Sequence, residues 1–108
     1  MIGIGKWEGE IRTPFFKGKG TVEIKEKDGK YIFLFDLPDK YKNAEIFYDE
    51  IKEIGTDTLF IVVRTSAFPG KKAQIKVTFN GDKMYGSIKV NILGGITVPI
   101  QNGRRVTQ

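Results

Sequence analysis

GKGTVEIKEKDGKYIFLFDL, residues 18–37, reads as a β-hairpin. Asp28-Gly29 at its centre is a two-residue turn signal, because glycine takes positive φ without strain. With Lys27 set opposite Lys30, Ile24 faces Phe33 and Val22 faces Phe35. Thr21, Glu23 and Lys25 then turn to the other side, toward water. The hairpin therefore predicts an antiparallel β protein with one apolar and one solvated face.

The same alternation extends in both directions. Ile4 to Arg12 is expected as a first strand, with Trp7, Gly9 and Ile11 on one face and Trp7 turned inward. Thr13-Pro14 ends it, since proline lacks the donor that a central ladder needs. Phe15 and Phe16 fall in the next connection, where they plug an end, line an entrance or lie on the surface. In the second hairpin arm Tyr31, Phe33, Phe35 and Leu37 form the inward set. The outward set includes Ile32 and Leu34, which makes a contact between copies of the chain one reading and scattered surface aliphatics the other.

After the turn at Leu37-Pro38-Asp39-Lys40, a fourth strand carries Ala44, Ile46 and Tyr48 on one side. Glu50 to Ile54 either continues it past a bulge or forms a bend. Thr58 to Thr65 is a near-continuous β-branched and aromatic run and is expected to be the most buried strand. Phe68-Pro69-Gly70-Lys71 has type II turn residues at its centre. Ala73, Ile75, Val77 and Phe79 then point inward, as do Met84, Gly86, Ile88 and Val90 beyond the turn that begins at Asn80-Gly81. Gly94-Gly95 leads to a last strand with Ile96, Val98 and Ile100 inside. Pro99 marks an edge, a bulge or a fraying end, and polar Asn102 to Arg105 closes the strand.

Short connections make successive strands antiparallel neighbours. The expected architecture is all-β, an eight-stranded antiparallel up-and-down meander closed into a barrel, forming one domain over residues 1–108. A two-sheet sandwich uses the same inward residues.

Composition narrows the chemistry. The chain has no Cys and no His, so thiolate, disulfide and imidazole chemistry are excluded. Asp36, Asp39, Asp49, Glu50, Asp57 and Asp82 offer carboxylates, but most sit at expected turns, where aspartate caps backbone groups. Oxygen ligands around Asp49-Glu50 or Asn80 to Asp82 lack calcium-loop spacing. No catalytic residue, metal site or cofactor is expected, and the chain reads as a non-enzyme. The formal charge of +5 attracts anions weakly. Lys17, Lys19, Lys25, Lys27 and Lys30 are interleaved with glutamates, which argues against a phosphate-tracking groove, so nucleic acid is not the expected partner. No stretch has the length of a membrane-spanning helix, so membrane insertion is not expected. The N-terminal residues have no basic segment followed by an apolar run; no signal peptide is expected and the cytoplasm is favoured.

Gly5-Lys6-Trp7 at the start of the first strand resembles the Gly-x-Trp signature of lipocalins and their wider calycin superfamily. The sequence Phe-Asn-Gly-Asp-Lys-Met-Tyr-Gly at residues 79–86 and the terminal Gly-Arg are similar to small bacterial lipocalin-like domains. The resemblance implies that Arg104 or Arg105 packs over Trp7 at a closed barrel end. It also implies that a small apolar or amphipathic molecule binds inside. The wall of that site would come from Tyr31, Phe33, Phe35, Tyr48, Phe79 and Met84. The same large side chains equally fill a narrow barrel, which gives the alternative of a filled-core structural or protein-interaction domain, with a homo-oligomer through Ile32 and Leu34.

Overall fold

Eight strands run in sequence: β1 (Gly5–Arg12), β2 (Lys17–Lys27), β3 (Lys30–Asp36), β4 (Ile46–Ile54), β5 (Thr58–Thr65), β6 (Lys72–Asn80), β7 (Lys83–Val90) and β8 (Ile96–Arg105). The computed structural model describes residues 1–12, 17–36, 45–66, 69–91 and 95–106. The expectations for Thr13 to Phe16, Leu37 to Ala44, Phe68 and Gly94 lie outside them.

The hairpin forms in the expected register, with Lys27 opposite Lys30, Ile24 opposite Phe33 and Val22 opposite Phe35. Asp28 (φ 53°) and Gly29 (φ 79°) both adopt positive φ, the signature of a type I′ turn. That turn twists in the same sense as its strands, which is why so short a loop holds the register.

All strands belong to one antiparallel sheet in the order β3-β2-β1-β8-β7-β6-β5-β4. The first and last strands pair, with Trp7 opposite Arg105 and Glu8 opposite Arg104. The sheet therefore curls around, and its two free edges are β3 and β4. Among the described residues no ladder joins those edges. The architecture is a meander curled into an open half-barrel, where the sequence alone led to a closed ring.

The concave face holds the core. Trp7, Ile24, Phe33, Leu59, Ile61, Val77 and Met84 form one buried cluster, with Val22, Tyr31, Phe35, Val63, Ile75, Phe79 and Ile100 packed against it. Thr58, Leu59 and Ile61 make β5 the most buried strand, as its β-branched run predicts. Most residues of β4, by contrast, are exposed, and among the described residues β5 alone pairs with it.

Two bulges change which residues face inward. On β4, Tyr48 pairs with Val63, but Glu50 pairs with Val62, so Asp49 is the extra residue. Beyond it the parity switches, and Ile51 and Glu53 lie opposite the inward residues Ile61 and Leu59. Glu50 to Ile54 thus continues the strand past a bulge. On β8 the register shifts against both β1 and β7, and Asn102 takes φ 54°. Asn102 to Arg105 form the closing residues of β8, as their polar character suggested. They remain laddered, with Gly103 opposite Met84 and Arg104 opposite Lys83. Pro99 lies opposite Ser87 on β7, beyond the last described β1 pair at Gln101. Among the described residues β8 is paired there with β7 alone, so the proline's missing donor falls on the side without a described partner.

Candidate functional site

The concave face carries two aromatic groups. The first lines the gap between the free edges. Tyr31, Phe33 and Phe35 follow one another at alternate positions of β3, so their rings stand on one face. Ring centroids are 5.7 Å apart for Tyr31 and Phe33 and 6.5 Å for Phe33 and Phe35, both near parallel. Tyr48 of β4 comes across the gap to place its ring 5.5 Å from that of Phe33. Its hydroxyl donates to the Phe33 carbonyl at 3.4 Å, a long contact that reaches the backbone of β3. Phe33 is buried, Tyr31 and Phe35 are half-buried and Tyr48 is partly exposed. Among the described residues, side chains rather than a backbone ladder bridge this seam.

Tyr31 ties the seam to the N-terminal residues. Its hydroxyl accepts from the Ile2 backbone N–H at 2.8 Å and donates to Glu53 Oε2. Burial pushes the Tyr31 hydroxyl up to about 12. The hydrogen bond to Glu53 and the negative charges of Glu53 and Glu26 push the same way, against the lowering effect of the Ile2 N–H. Burial alone pushes Tyr48 up to about 12.

Both tyrosines keep their protons more tightly in the folded chain than in the unfolded one. Their contribution is fully present below the unfolded value near 10 and is lost as pH rises toward 12. Thermal unfolding midpoints are expected to fall across that window. They are expected to fall less steeply for Tyr31→Phe and Tyr48→Phe, whose hydroxyls cannot titrate. Parallel melting curves for the variants and the parent would contradict the assignment.

The second group stands where β1 meets β8. Trp7 is fully buried, and its ring lies 4.7 Å from that of Phe79. Its indole N–H donates to the Gly3 carbonyl at 2.8 Å, which satisfies the polar edge inside the core. Arg105 places its guanidinium carbon 4.3 Å from the Trp7 ring centroid, donates to the Ile4 carbonyl at 3.0 Å and pairs with Asp82 at 3.2 Å. Such a cation–π contact contributes on the order of 0.5–2 kcal/mol. Arg104 takes the opposite face and pairs with Glu8 at 2.5 Å. Of the two candidate arginines, Arg105 is therefore the one over the tryptophan. Met84 is buried in the same cluster.

Within the one core cluster, the ring contacts of the expected wall residues fall into two groups. Tyr31, Phe33, Phe35 and Tyr48 meet at the seam, while Phe79 and Met84 belong with Trp7. Sequence reasoning missed two acidic neighbours of the seam. Glu26 lies directly opposite Tyr31 in the hairpin register, on the inward face; stepping two residues along each strand from the Ile24–Phe33 pair identifies it. Glu53 reaches that face through the Asp49 bulge, one of the two readings the sequence left open for Glu50 to Ile54.

The outer face differs. A shallow hollow of about 260 Å³ is lined by Lys6, Thr21, Glu23, Leu34, Phe35 and Asp36. Leu34 is 49% exposed there, whereas Ile32 is half-buried. Asp49 receives the Arg64 Nε–H on both carboxylate oxygens at 2.8–2.9 Å and has Lys72 at 3.7 Å, and the Arg64 hydrogen bond holds its carboxyl below the usual range. Among the described residues no cluster of three or more acidic side chains is placed to hold a metal ion. Among them, too, no helix is long and apolar enough to cross a membrane.

Comparison with protein-family models, with curated proteins and with solved structures finds no match.

Proposed function

We propose that this chain is a non-enzymatic, lipocalin-like domain of the calycin kind, which holds a small apolar or amphipathic molecule against its concave face. The carrying observation is the ring wall of Tyr31, Phe33, Phe35 and Tyr48 at a seam bridged by side chains. Rings arranged in this way offer an apolar surface, and the tyrosine hydroxyls supply a few oriented polar contacts. The seam is also where an up-and-down barrel completes its ring, and a guest that bridges β3 and β4 would favour that closure. Trp7 and Arg105 serve the fold in this reading, as a plug where the two terminal strands meet.

The test is titration with N-phenyl-1-naphthylamine, a neutral dye that brightens in apolar surroundings. One saturable site is expected, emptied by dodecanol. Tyr48→Ser, at the seam, is expected to weaken it roughly tenfold, the scale of removing one large side chain from an apolar wall. Leu34→Ser, on the outer face, leaves it unchanged. Absence of saturable binding, or weakening by the Leu34 change alone, would overturn the reading. The exposed Leu34 beside Ile32 would then favour the filled-core alternative, a contact between copies through these residues.

A further inference from the structure

The inner face is apolar along most of its length but not at the Tyr31 end. Glu26 lies across from Tyr31 on β2, and Glu53 bonds the Tyr31 hydroxyl from β4. Two carboxylates therefore flank one aromatic ring, from opposite sides of the seam. The lysines next to this corner in the strand register turn away. Lys27 and Lys30 form the next pair along the hairpin, and Lys52 precedes Glu53, so strand alternation puts all three on the opposite face. Among the described residues neither Glu26 nor Glu53 forms an ion pair. The charges that act on the Tyr31 hydroxyl are both negative. A chain with a formal charge of +5 thus keeps a local acidic, aromatic corner.

That combination has a specific chemistry. The face of an aromatic ring attracts a cation through its quadrupole, and a nearby carboxylate adds Coulomb attraction. A carboxylate head group would instead meet two like charges. We propose that the Tyr31 end of the seam seats a cationic head, a primary or quaternary ammonium, of an amphipathic molecule whose apolar chain lies along Phe33, Phe35 and Tyr48. The inference rests on the reading of the concave face as a binding surface and adds the class of molecule it takes.

Three probes with the same tail separate the possibilities: dodecyltrimethylammonium, dodecanol and dodecanoate, each below its micelle concentration, competed against the neutral dye. The ammonium is expected to bind about tenfold more tightly than dodecanoate, the factor a partly desolvated cation–π contact supplies. Glu53→Gln and Glu26→Gln are each expected to reduce that preference, and together to abolish it. Glu26→Gln leaves the Tyr31 to Glu53 hydrogen bond in place, so a loss of preference there is not a loss of fold. Lys89→Gln, on the outer face, is the control and keeps the preference. If dodecanol binds but the ammonium has no advantage over dodecanoate, or the advantage survives both glutamate changes, the cationic seat is overturned and the concave binding surface stands. If none of the three binds, the binding surface itself is overturned, and the seat with it.

Discussion

Trp7→Ala is expected to lower the free energy of unfolding by about 3–5 kcal/mol, the range for truncating a large buried aromatic side chain. The size follows from what the indole holds together. Trp7 is fully buried, contacts Phe79 and lies under Arg105, and its N–H is satisfied by Gly3. Removing it opens a cavity between β1 and β8 and strips the Arg105 guanidinium of its ring. For a chain of this size each kcal/mol corresponds to a fall of roughly 4–8 °C in melting temperature. Trp7 is the sole tryptophan, so the variant must be followed by circular dichroism rather than indole fluorescence. Tyr85→Ala removes a ring that is 53% exposed on the outer face, and is expected to change stability by less than about 0.5 kcal/mol. Equal effects of the two substitutions would contradict the placement of Trp7 in the core.

Gly86→Ala is expected to destabilise by about 3 kcal/mol, the upper part of the range for overpacking. Gly86 lies opposite Val77 on the concave face. A Cβ at this position would come within 2.2 Å of the Lys76 carbonyl oxygen and 2.9 Å of a Val77 methyl. The first contact is with backbone, which cannot rotate away, so β6 and β7 would have to separate locally. Chemical denaturation should show a lower midpoint with little change in slope, because the surface exposed on unfolding is nearly the same. A variant as stable as the parent would mean that β6 and β7 are not so closely apposed.

Much of the fold was legible from residue alternation. The Asp28-Gly29 turn fixed the hairpin register to the residue, because a two-residue loop leaves no freedom in pairing. The inward sets of β6 and β7 followed from period-two patterning, the burial of β5 from its β-branched run, and the pairing of the first strand with the last follows a meander that curls. What was hidden depends on bulges and on edges. A one-residue insertion at Asp49 reverses every side chain after it, so Glu53 faces the core side although nothing in Glu50 to Ile54 distinguishes the two parities. Asn102 at positive φ plays the same part on β8 and leaves Arg105, not Arg104, above Trp7. Whether β3 and β4 are laddered depends on long-range curvature, which no local pattern encodes. The aromatic positions of the site and Glu26 were therefore readable, while Glu53 and the seam were not.

The proposed seating of an apolar guest against the inner ring wall is open to direct observation by intermolecular nuclear Overhauser effects between dodecanol and the isotope-labelled protein. Contacts are expected from the alkyl chain to the rings of Phe33, Phe35 and Tyr48. Contacts confined to outer-face residues such as Leu34 and Tyr85, with none to those three rings, would contradict it.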